Sequence, residues 1–498
     1  MIKLSTQALG ETQVSTASVM AAPNDVAGIA GSGGTQVDMT RHKGKSVLVL
    51  GLGETGLSMV RWLSAQSARL RVADSRSAPP GLAEAGQYVP AGQIYCGNFN
   101  DALFDGIELV AISPGVPLRD PAVARAVARG IEVVGDIELF AQSLPKDNRP
   151  HILAITGANG KTTVTSMVEH LCKAAGKDAV AAGNISPAVL DVVLERGVNQ
   201  PEVWVLELSS FQLETTFNLN ADAATVLNIS EDHLDRYADM DEYSAAKARI
   251  FSGCSVQVLN RDDERSISMA RKDCMIITFG LNSPATESDF GIERDDGEIW
   301  LMQGSQRLLK ASELKVAGLH NVANALAALA LSRAIDFPMR TLLDALRSFR
   351  GLPHRVERVA EIDSVTYYDD SKGTNVGATI AALQGLGCKA VLIAGGEGKG
   401  QDFTPLNPVV TQHARAVVLI GRDASLIAAA VNGSGVDVLY AHDMNDAVQL
   451  AARLAQSGDA VLLSPACASF DMFRNYEHRA EVFVEAVRGL TREKSWPH

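Results

Sequence analysis

The apolar positions of this chain gather in short unbroken runs more than in strict alternation. "SVLVLG" (46–51), "HILAITG" (151–157), "VWVLEL" (203–208), "AVLIAGG" (390–396) and "AVLLS" (460–464) each hold four or five consecutive apolar residues and stop at a Gly, a Ser, a Thr or an acid. A strand apolar on both faces is buried on both faces, the mark of a parallel sheet covered by helices. The intervening segments change to helical spacing, as in "KTTVTSMVEHLCKAAG" (161–176) and "SAAKARIF" (244–251). "NVANALAALALSRAI" (321–335) reads as a buried core helix, too short and too interrupted by polar residues to span a membrane. The pattern predicts an α/β protein. At 498 residues it is too long for one core, and length suggests about three domains.

The punctuation of the runs places the boundaries. Residues 1–42 are rich in Ala, Gly, Ser and Thr without periodicity and are expected to be a disordered tail. A Rossmann-like N-terminal domain over 43–148, a central P-loop ATPase-like domain over 149–350 and a Rossmann-like C-terminal domain over 351–498 follow, with hinges expected near 148 and 351. The N-terminus has no charged-then-apolar leader, so a cytoplasmic protein is expected. Six scattered cysteines without a C-x-x-C pair fit reduced thiols, and Cys467 reads as a packing residue because no base stands beside it. The formal net charge of −13 argues against broad nucleic-acid binding, though a local cluster of amides and lysines can still hold an anionic small molecule.

Two Gly-rich turns carry the first chemistry. In "TGANGKTT" (156–163) Gly157 and Gly160 let backbone N–H groups turn inward, Lys161 can reach outer phosphates, and the Thr162 hydroxyl can ligate Mg²⁺. The loop is shortened: Ile155 stands where the full phosphate-loop pattern has its first Gly. A ligand-free turn is the plain alternative, but packing gives no reason for Lys-Thr to open a helix. The other turn, Gly51, Gly53 and Gly56 followed by Asp74 at the next strand end, is the dinucleotide fingerprint, and a nicotinamide dehydrogenase is one reading of it. Any nucleotide diphosphate can use the same turn.

Other candidates sit where strands end. Glu207 closes "VWVLEL" and could meet the Mg²⁺ of Thr162. His233 lies in the acidic cluster "EDHLDRY" (231–237), which suits a metal site. Arg355 in "PHR" is a candidate clamp for a transferring phosphate, and Asp370, Lys372 and Lys399 stand at C-terminal strand ends where ribose or carboxylate groups could dock. Lys247, by spacing alone, is an ordinary solvated helical lysine.

In order along the chain, "GLGETGLS", "SPGV", "GDIELF", "TGANGKTT", "GNI", "LELSSFQLE", "LNISEDHLDRY", "AAKARI", "GLHNVANALAALAL", "GLPHR", "DDSKGTN", "GGEGKG" and "LLSPACASFDMF" resemble the motifs of the Mur ligase family over about residues 45–490. That resemblance implies a cytoplasmic, ATP-dependent, ADP-forming acid–amino-acid ligase of peptidoglycan precursor synthesis, serving cell shape and division. ATP would convert the carboxylate of UDP-N-acetylmuramoyl-L-alanine to an acyl phosphate, which the amine of D-glutamate would attack. The implied catalytic residues are Lys161, Glu207, His233, Lys247 and Arg355. The implied ATP contacts are Gly157, Asn159, Gly160, Lys161, Thr162, Thr163, Asn321, Arg355 and Asp370. Thr55, Asp74, Ser75, Ser113 and Asn184 would hold the UDP-linked substrate. Lys372, Thr374, Lys399, Ser469, Phe470 and Tyr476 would hold D-glutamate. Two Mg²⁺ ions are implied on Thr162, Glu207, His233 and Lys247, the last as a carbamate. The partners implied are small molecules alone, with no nucleic acid, no membrane span and a monomeric chain. Two positions depart from the familiar pattern: Gly373 where an Ala is usual, a change expected to loosen its loop, and Tyr476 where a Phe is usual. A ligase adding glutamate to folate, and a nucleotide-binding protein that hydrolyses ATP without ligating, are the alternatives.

Overall fold

A computed structural model describes residues 37–232, 236–316 and 318–493, and its architecture is three successive α/β layers. The first sheet holds β1 (Ser46–Leu50), β2 (Arg69–Asp74), β3 (Ile94–Cys96), β4 (Leu109–Ile112) and β5 (Glu132–Val134), all parallel in the order β3-β2-β1-β4-β5. The order reverses between β1 and β4, where open α/β sheets leave a crevice at their carboxyl ends. Gly56, in the helix that follows β1, is required there: a Cβ on it would lie 1.9 Å from the Gly51 carbonyl oxygen.

The central sheet is also wholly parallel. It runs β11-β10-β9-β6-β8-β7 with β6 (His151–Thr156), β7 (Ala179–Gly183), β8 (Val203–Glu207), β9 (Ala223–Val226), β10 (Val256–Asn260) and β11 (Met275–Phe279). Because β6 lies between β8 and β9, the loops after these three strands share one edge. The helices Lys161–Ala174 and Leu319–Arg333 pack over the sheet, and the second has a run of buried residues from Ala325 to Ser332, as expected of a core helix. A small antiparallel sheet, β12 (Phe290–Asp295), β13 (Glu298–Gln303) and β14 (Gln306–Lys310), is appended.

In the third sheet the hairpin of β15 (Glu357–Ile362) and β16 (Val365–Asp369) continues into parallel strands β20 (Ala460–Leu463), β17 (Ala390–Gly395), β18 (Ala414–Ile420) and β19 (Asp437–Tyr440). Its two hydrophobic clusters draw only on residues from Val356 onward. By contrast, one continuous cluster joins the first two sheets, running from Val37 through Trp62 and Phe140 to Trp204 and Leu259. Phe140 meets Trp204 edge to face, with ring centroids 4.8 Å apart.

The tail reading needs a correction at its end. Residues 1–36 lie outside the described residues, but 37–42 are seated on the first domain. Val37 and His42 are buried, and the Asp38 N–H donates to the Ser143 carbonyl at 2.8 Å. No helix among the described residues is long and apolar enough to cross a membrane.

Candidate active site

The crevice between β1 and β4 is a cleft of about 520 Å³, and Thr55, Asp74, Ser75, Ser113 and Asn184 all line it. Local chemistry holds its walls. The Asp74 carboxylate accepts from the Leu52 N–H at 2.7 Å and from the Arg76 N–H at 2.8 Å, and its oxygens also take the Arg76 guanidinium at 2.9 and 2.7 Å. Hydrogen bonding to that guanidinium, together with the backbone N–H bonds, lowers its pKa to about 2. Asp74 is therefore occupied in shaping the turn, and Arg76, which sequence reasoning passed over, joins the lining beside it. Ser113 Oγ donates to the Gly51 carbonyl at 3.3 Å, tying the second loop to the first.

A second cleft, of about 360 Å³, opens between the central and C-terminal domains; its lining includes Asn159, Gly160, Thr163, Asn321, Arg355, Asp370 and Lys372. At its base the phosphate loop leaves β6. Gly160 takes φ +84° and opens the helix Lys161–Ala174; a Cβ there would stand 2.7 Å from Asn324 Oδ1. Asn228, just past the end of β9, fixes the loop from the side: its Oδ1 accepts from the Asn159 N–H at 2.8 Å and its Nδ2 donates to the Asn159 carbonyl at 3.1 Å. Lys161 Nζ donates to the carbonyls of Gly157 and Ala158, both at 2.9 Å.

Lys247 is no solvated surface lysine. It is buried, and its Nζ donates to the same Gly157 carbonyl at 2.9 Å and to Thr156 Oγ1 at 3.4 Å, 4.7 Å from the Tyr243 ring centroid. Burial first, then the neighbouring Lys161, hold its pKa well below the ordinary lysine value, and burial lowers Lys161 too. Arg355 crosses from the C-terminal domain to donate to Thr162 Oγ1 at 2.8 Å. Lys372 stacks 3.7 Å over the Tyr476 ring and shares the field of Arg355, Glu207 and Lys161.

Glu207 stands among these cations. It is buried, its Oε1 accepts from Asn184 Nδ2 at 2.8 Å, and its Oε2 has no hydrogen-bond partner among the described residues. An orphaned carboxylate oxygen beside the phosphate loop fits a divalent cation, with Thr162 Oγ1 as the second protein oxygen. His233 lies outside the described residues. Asp370 is buried, accepts from Ser464 Oγ at 2.7 Å, and burial pushes its carboxyl up to about 7.

The remaining candidates occupy the carboxyl rim of the third sheet. Thr374 and Lys372 follow β16, Lys399 follows β17, and Ser469, Phe470 and Tyr476 follow β20. A two-way backbone bridge between Glu397 and Ala468 brings the last two loops together, and Gln401 Nε2 donates to the Ala466 carbonyl at 2.8 Å. Lys399 and Phe470 are exposed while Ser469 is buried. Gly373 is more constrained than the expected loosened loop: a Cβ would lie 2.5 Å from Asp370 Oδ2. Asn324, unread in the sequence, donates from Nδ2 to Asn321 Oδ1 at 3.2 Å and lines the cleft one helical turn on. The i, i+3 spacing in "HNVAN" was the available signal. Cys467, its thiol pushed up to about 12 by burial, is a packing residue.

Comparison with known proteins agrees with this layout. Family profiles match in series: the MurD-like N-terminal domain of Mur ligases over 45–135, the Mur ligase middle domain over 155–332, and the glutamate ligase domain of Mur ligases over 354–467. The UDP-N-acetylmuramoylalanine–D-glutamate ligase of Nitrosomonas europaea is 56% identical over 461 residues, covering 91% of this chain and 98% of its own. That of Methylobacillus flagellatus is 58% identical over 456 residues, covering 92% and 99%. Among solved structures, the UDP-N-acetylmuramate–alanine ligase of Thermotoga maritima superposes with a TM-score of 0.55 at 22% identity, over 89% of this chain and 99% of that one, a likeness of fold. With three domain profiles in family order and relatives more than half identical along nine-tenths of its length, the chain belongs to the Mur ligase family.

Proposed function

We propose that this chain joins D-glutamate to UDP-N-acetylmuramoyl-L-alanine at the expense of ATP, as a step of peptidoglycan precursor synthesis in the cytoplasm. One observation carries the reading. Asn184 lines the first cleft and donates to Glu207, whose charge acts on Lys161 and Lys247 and on Arg355 and Lys372, the two cations that line the second cleft. A substrate whose nucleotide end fills the first cleft therefore presents its far end to the phosphate loop.

The chemistry follows from charge. A carboxylate has no leaving group and repels a triphosphate. Lys161, Arg355 and the loop N–H groups offset that repulsion and hold the γ-phosphorus in line with the attacking carboxylate oxygen. The new O–P bond forms as the bond to the ADP oxygen breaks. The amine of D-glutamate then attacks the acyl carbon, inorganic phosphate departs, and the amine loses its proton. Lys372, Thr374, Lys399, Ser469, Phe470 and Tyr476 on the C-terminal rim would hold the acceptor's carboxylates. Thr55, Asp74, Ser75, Ser113 and Asn184 would hold the UDP-linked substrate. Asn159, Asn321, Asp370 and the loop Gly157–Thr163 would hold ATP. Mg²⁺ ions on Thr162, Glu207, His233 and Lys247 would supply further charge neutralisation.

Lys247 fits that set only after its charge is inverted. Burial that depresses the pKa of this amine favours its neutral form, and that form can add to CO₂, lose a proton and become a carbamate anion facing the cations around it. Rescue of a Lys247→Ala variant by short-chain carboxylic acids is expected; an active wild-type enzyme whose variant shows no rescue would count against the carbamate. The chain is proposed to act as a monomer.

The reaction is tested by phosphate release from ATP with UDP-N-acetylmuramoyl-L-alanine plus D-glutamate, L-glutamate or no acceptor. Release that needs the nucleotide sugar and D-glutamate together is expected. Release indifferent to the acceptor would overturn the reading in favour of a hydrolase.

A further inference from the structure

We infer that Arg236 is a positioning residue that holds the floor of the UDP-side cleft in register with the phosphate-side loops, an inference that rests on the function proposed above. Arg236 lies between β9 and the helix Met240–Ala248, in the same connection as Asn228, which pins the phosphate loop. Its guanidinium reaches into the first domain, donating to the Pro114 carbonyl at 3.2 Å and the Val116 carbonyl at 3.4 Å. Pro114, Gly115 and Val116 line the cleft assigned to the UDP-linked substrate. The same guanidinium donates to Glu214 Oε2 at 3.1 Å and lies 4.5 Å from the Phe211 ring centroid. Phe211 and Glu214 belong to the turn that follows Glu207. Tyr237 OH completes the knot by donating to Glu214 Oε1 at 2.7 Å. One planar cation thus ties three loops: the cleft floor, the turn after Glu207 and the loop after β9.

Burial separates this contact from its neighbour. Arg119 pairs with Glu242 across the same domain boundary, but those side chains are 59% and 42% exposed. Arg236 and Glu214 are only 13% and 17% exposed. Exposed pairs contribute little, whereas shielded charge-assisted bonds with several acceptors impose geometry. Two carbonyls, a carboxylate and a ring face match a guanidinium, and an ammonium cannot span them.

The consequence is specific. Without the guanidinium the 113–116 loop loses its register with the 207–214 turn, so the substrate carboxylate meets the γ-phosphate in a poorer alignment. The phosphate loop keeps its own anchor on Asn228. In the ligation assay, Arg236→Ala is therefore expected to raise KM for the UDP-linked substrate about tenfold and to lower kcat about tenfold, a loss in line with a few charge-assisted bonds. KM for ATP should stay within about twofold. Arg236→Lys should recover part of the loss, and it carries the test if the alanine variant does not fold. A uniform rise of KM for both substrates, or a lower Tm with unchanged kinetic constants, would overturn the inference and leave Arg236 a structural brace. Failure of the wild-type enzyme to ligate would instead count against the proposed function.

Discussion

The N-terminal and C-terminal domains both meet the central domain, and the two joints are built from different materials. The first is fused. A single hydrophobic cluster runs through it, and buried carboxylates clamp it: Glu138 Oε2 accepts from the N–H groups of Phe217 and Asn218 at 2.7 and 2.9 Å, and Asp136 Oδ2 accepts from Gln212 Nε2 at 3.0 Å. Arg61 adds a two-toothed pair to Asp191 at 2.9 and 2.6 Å. The second joint lies along the second cleft, whose lining mixes polar side chains with Leu227, Phe279, Leu352 and Ala382. Its side-chain bridges include Arg355 to Thr162 and Asn375 to Asn159, and neither cluster of the C-terminal domain takes in a residue of the central domain. Apolar burial is lost only by separating the surfaces, while a hydrogen bond across a wet cleft can be exchanged for water at a net cost of about 1 kcal/mol. Of the two hinges expected from sequence, the one near 351 is the one we propose as mobile. On that proposal the first cleft keeps a fixed register with the phosphate loop, and Arg355 and the C-terminal rim would arrive on a separable body.

The sharpest way to break this contrast is to empty the fused joint. Phe140→Ala is expected to cost about 3–5 kcal/mol, because a large buried ring is removed against Trp204 and the cavity is not refilled. Chemical denaturation followed by tryptophan fluorescence should show the first two domains lost in one cooperative step at lower denaturant. A separate early transition of the N-terminal domain would mean that the shared core does not couple them. The opposite experiment cuts the thin joint. Arg355→Ala is expected to reduce ligation about 10²–10³-fold, the scale of a lost transition-state cation. Its Tm should hardly change, since burial already disfavours the charge of this arginine. A large drop in Tm with a normal rate would reverse the roles assigned to the two joints.

The sequence reveals more of the clefts than of the joints. Every residue expected to hold the UDP-linked substrate lines the first cleft, because Gly-rich turns and strand ends are local signals and a parallel sheet collects its strand ends along one edge. Lys161, Glu207 and Lys247 come together for the same reason, though only resemblance singled out Lys247, since its burial is decided by tertiary packing. Asn228, Asn324 and Arg236 went unread because polar loop or helix residues acquire their roles from partners far along the chain. Asp136 and Glu138 sit in the quoted motif "GDIELF", yet nothing local tells a carboxylate that caps a domain boundary from one that faces water. Val37, with only Met39 near it after a Gly-rich stretch, has no sustained period by which its burial could be read.

The smallest expected effect tests the thin joint most directly. Asn375 has two jobs. Its Oδ1 accepts from the Ala378 N–H at 2.9 Å and caps the helix Val376–Gly385, while its Nδ2 donates at 3.0 Å to Oδ1 of Asn159 in the phosphate loop. Asn375→Ala removes both, so a fall of about 1 kcal/mol in stability from the lost cap would be mixed with any change in nucleotide binding. Asn375→Asp keeps the cap, since a carboxylate still accepts from Ala378 and suits a helix N-terminus, but it cannot donate to Asn159. The aspartate variant should therefore keep its Tm while KM for ATP rises about threefold to tenfold, the worth of one hydrogen bond. If KM for ATP stays put in the aspartate variant, this bridge is not part of what holds the C-terminal domain over the nucleotide, and the thin joint depends on Arg355 instead.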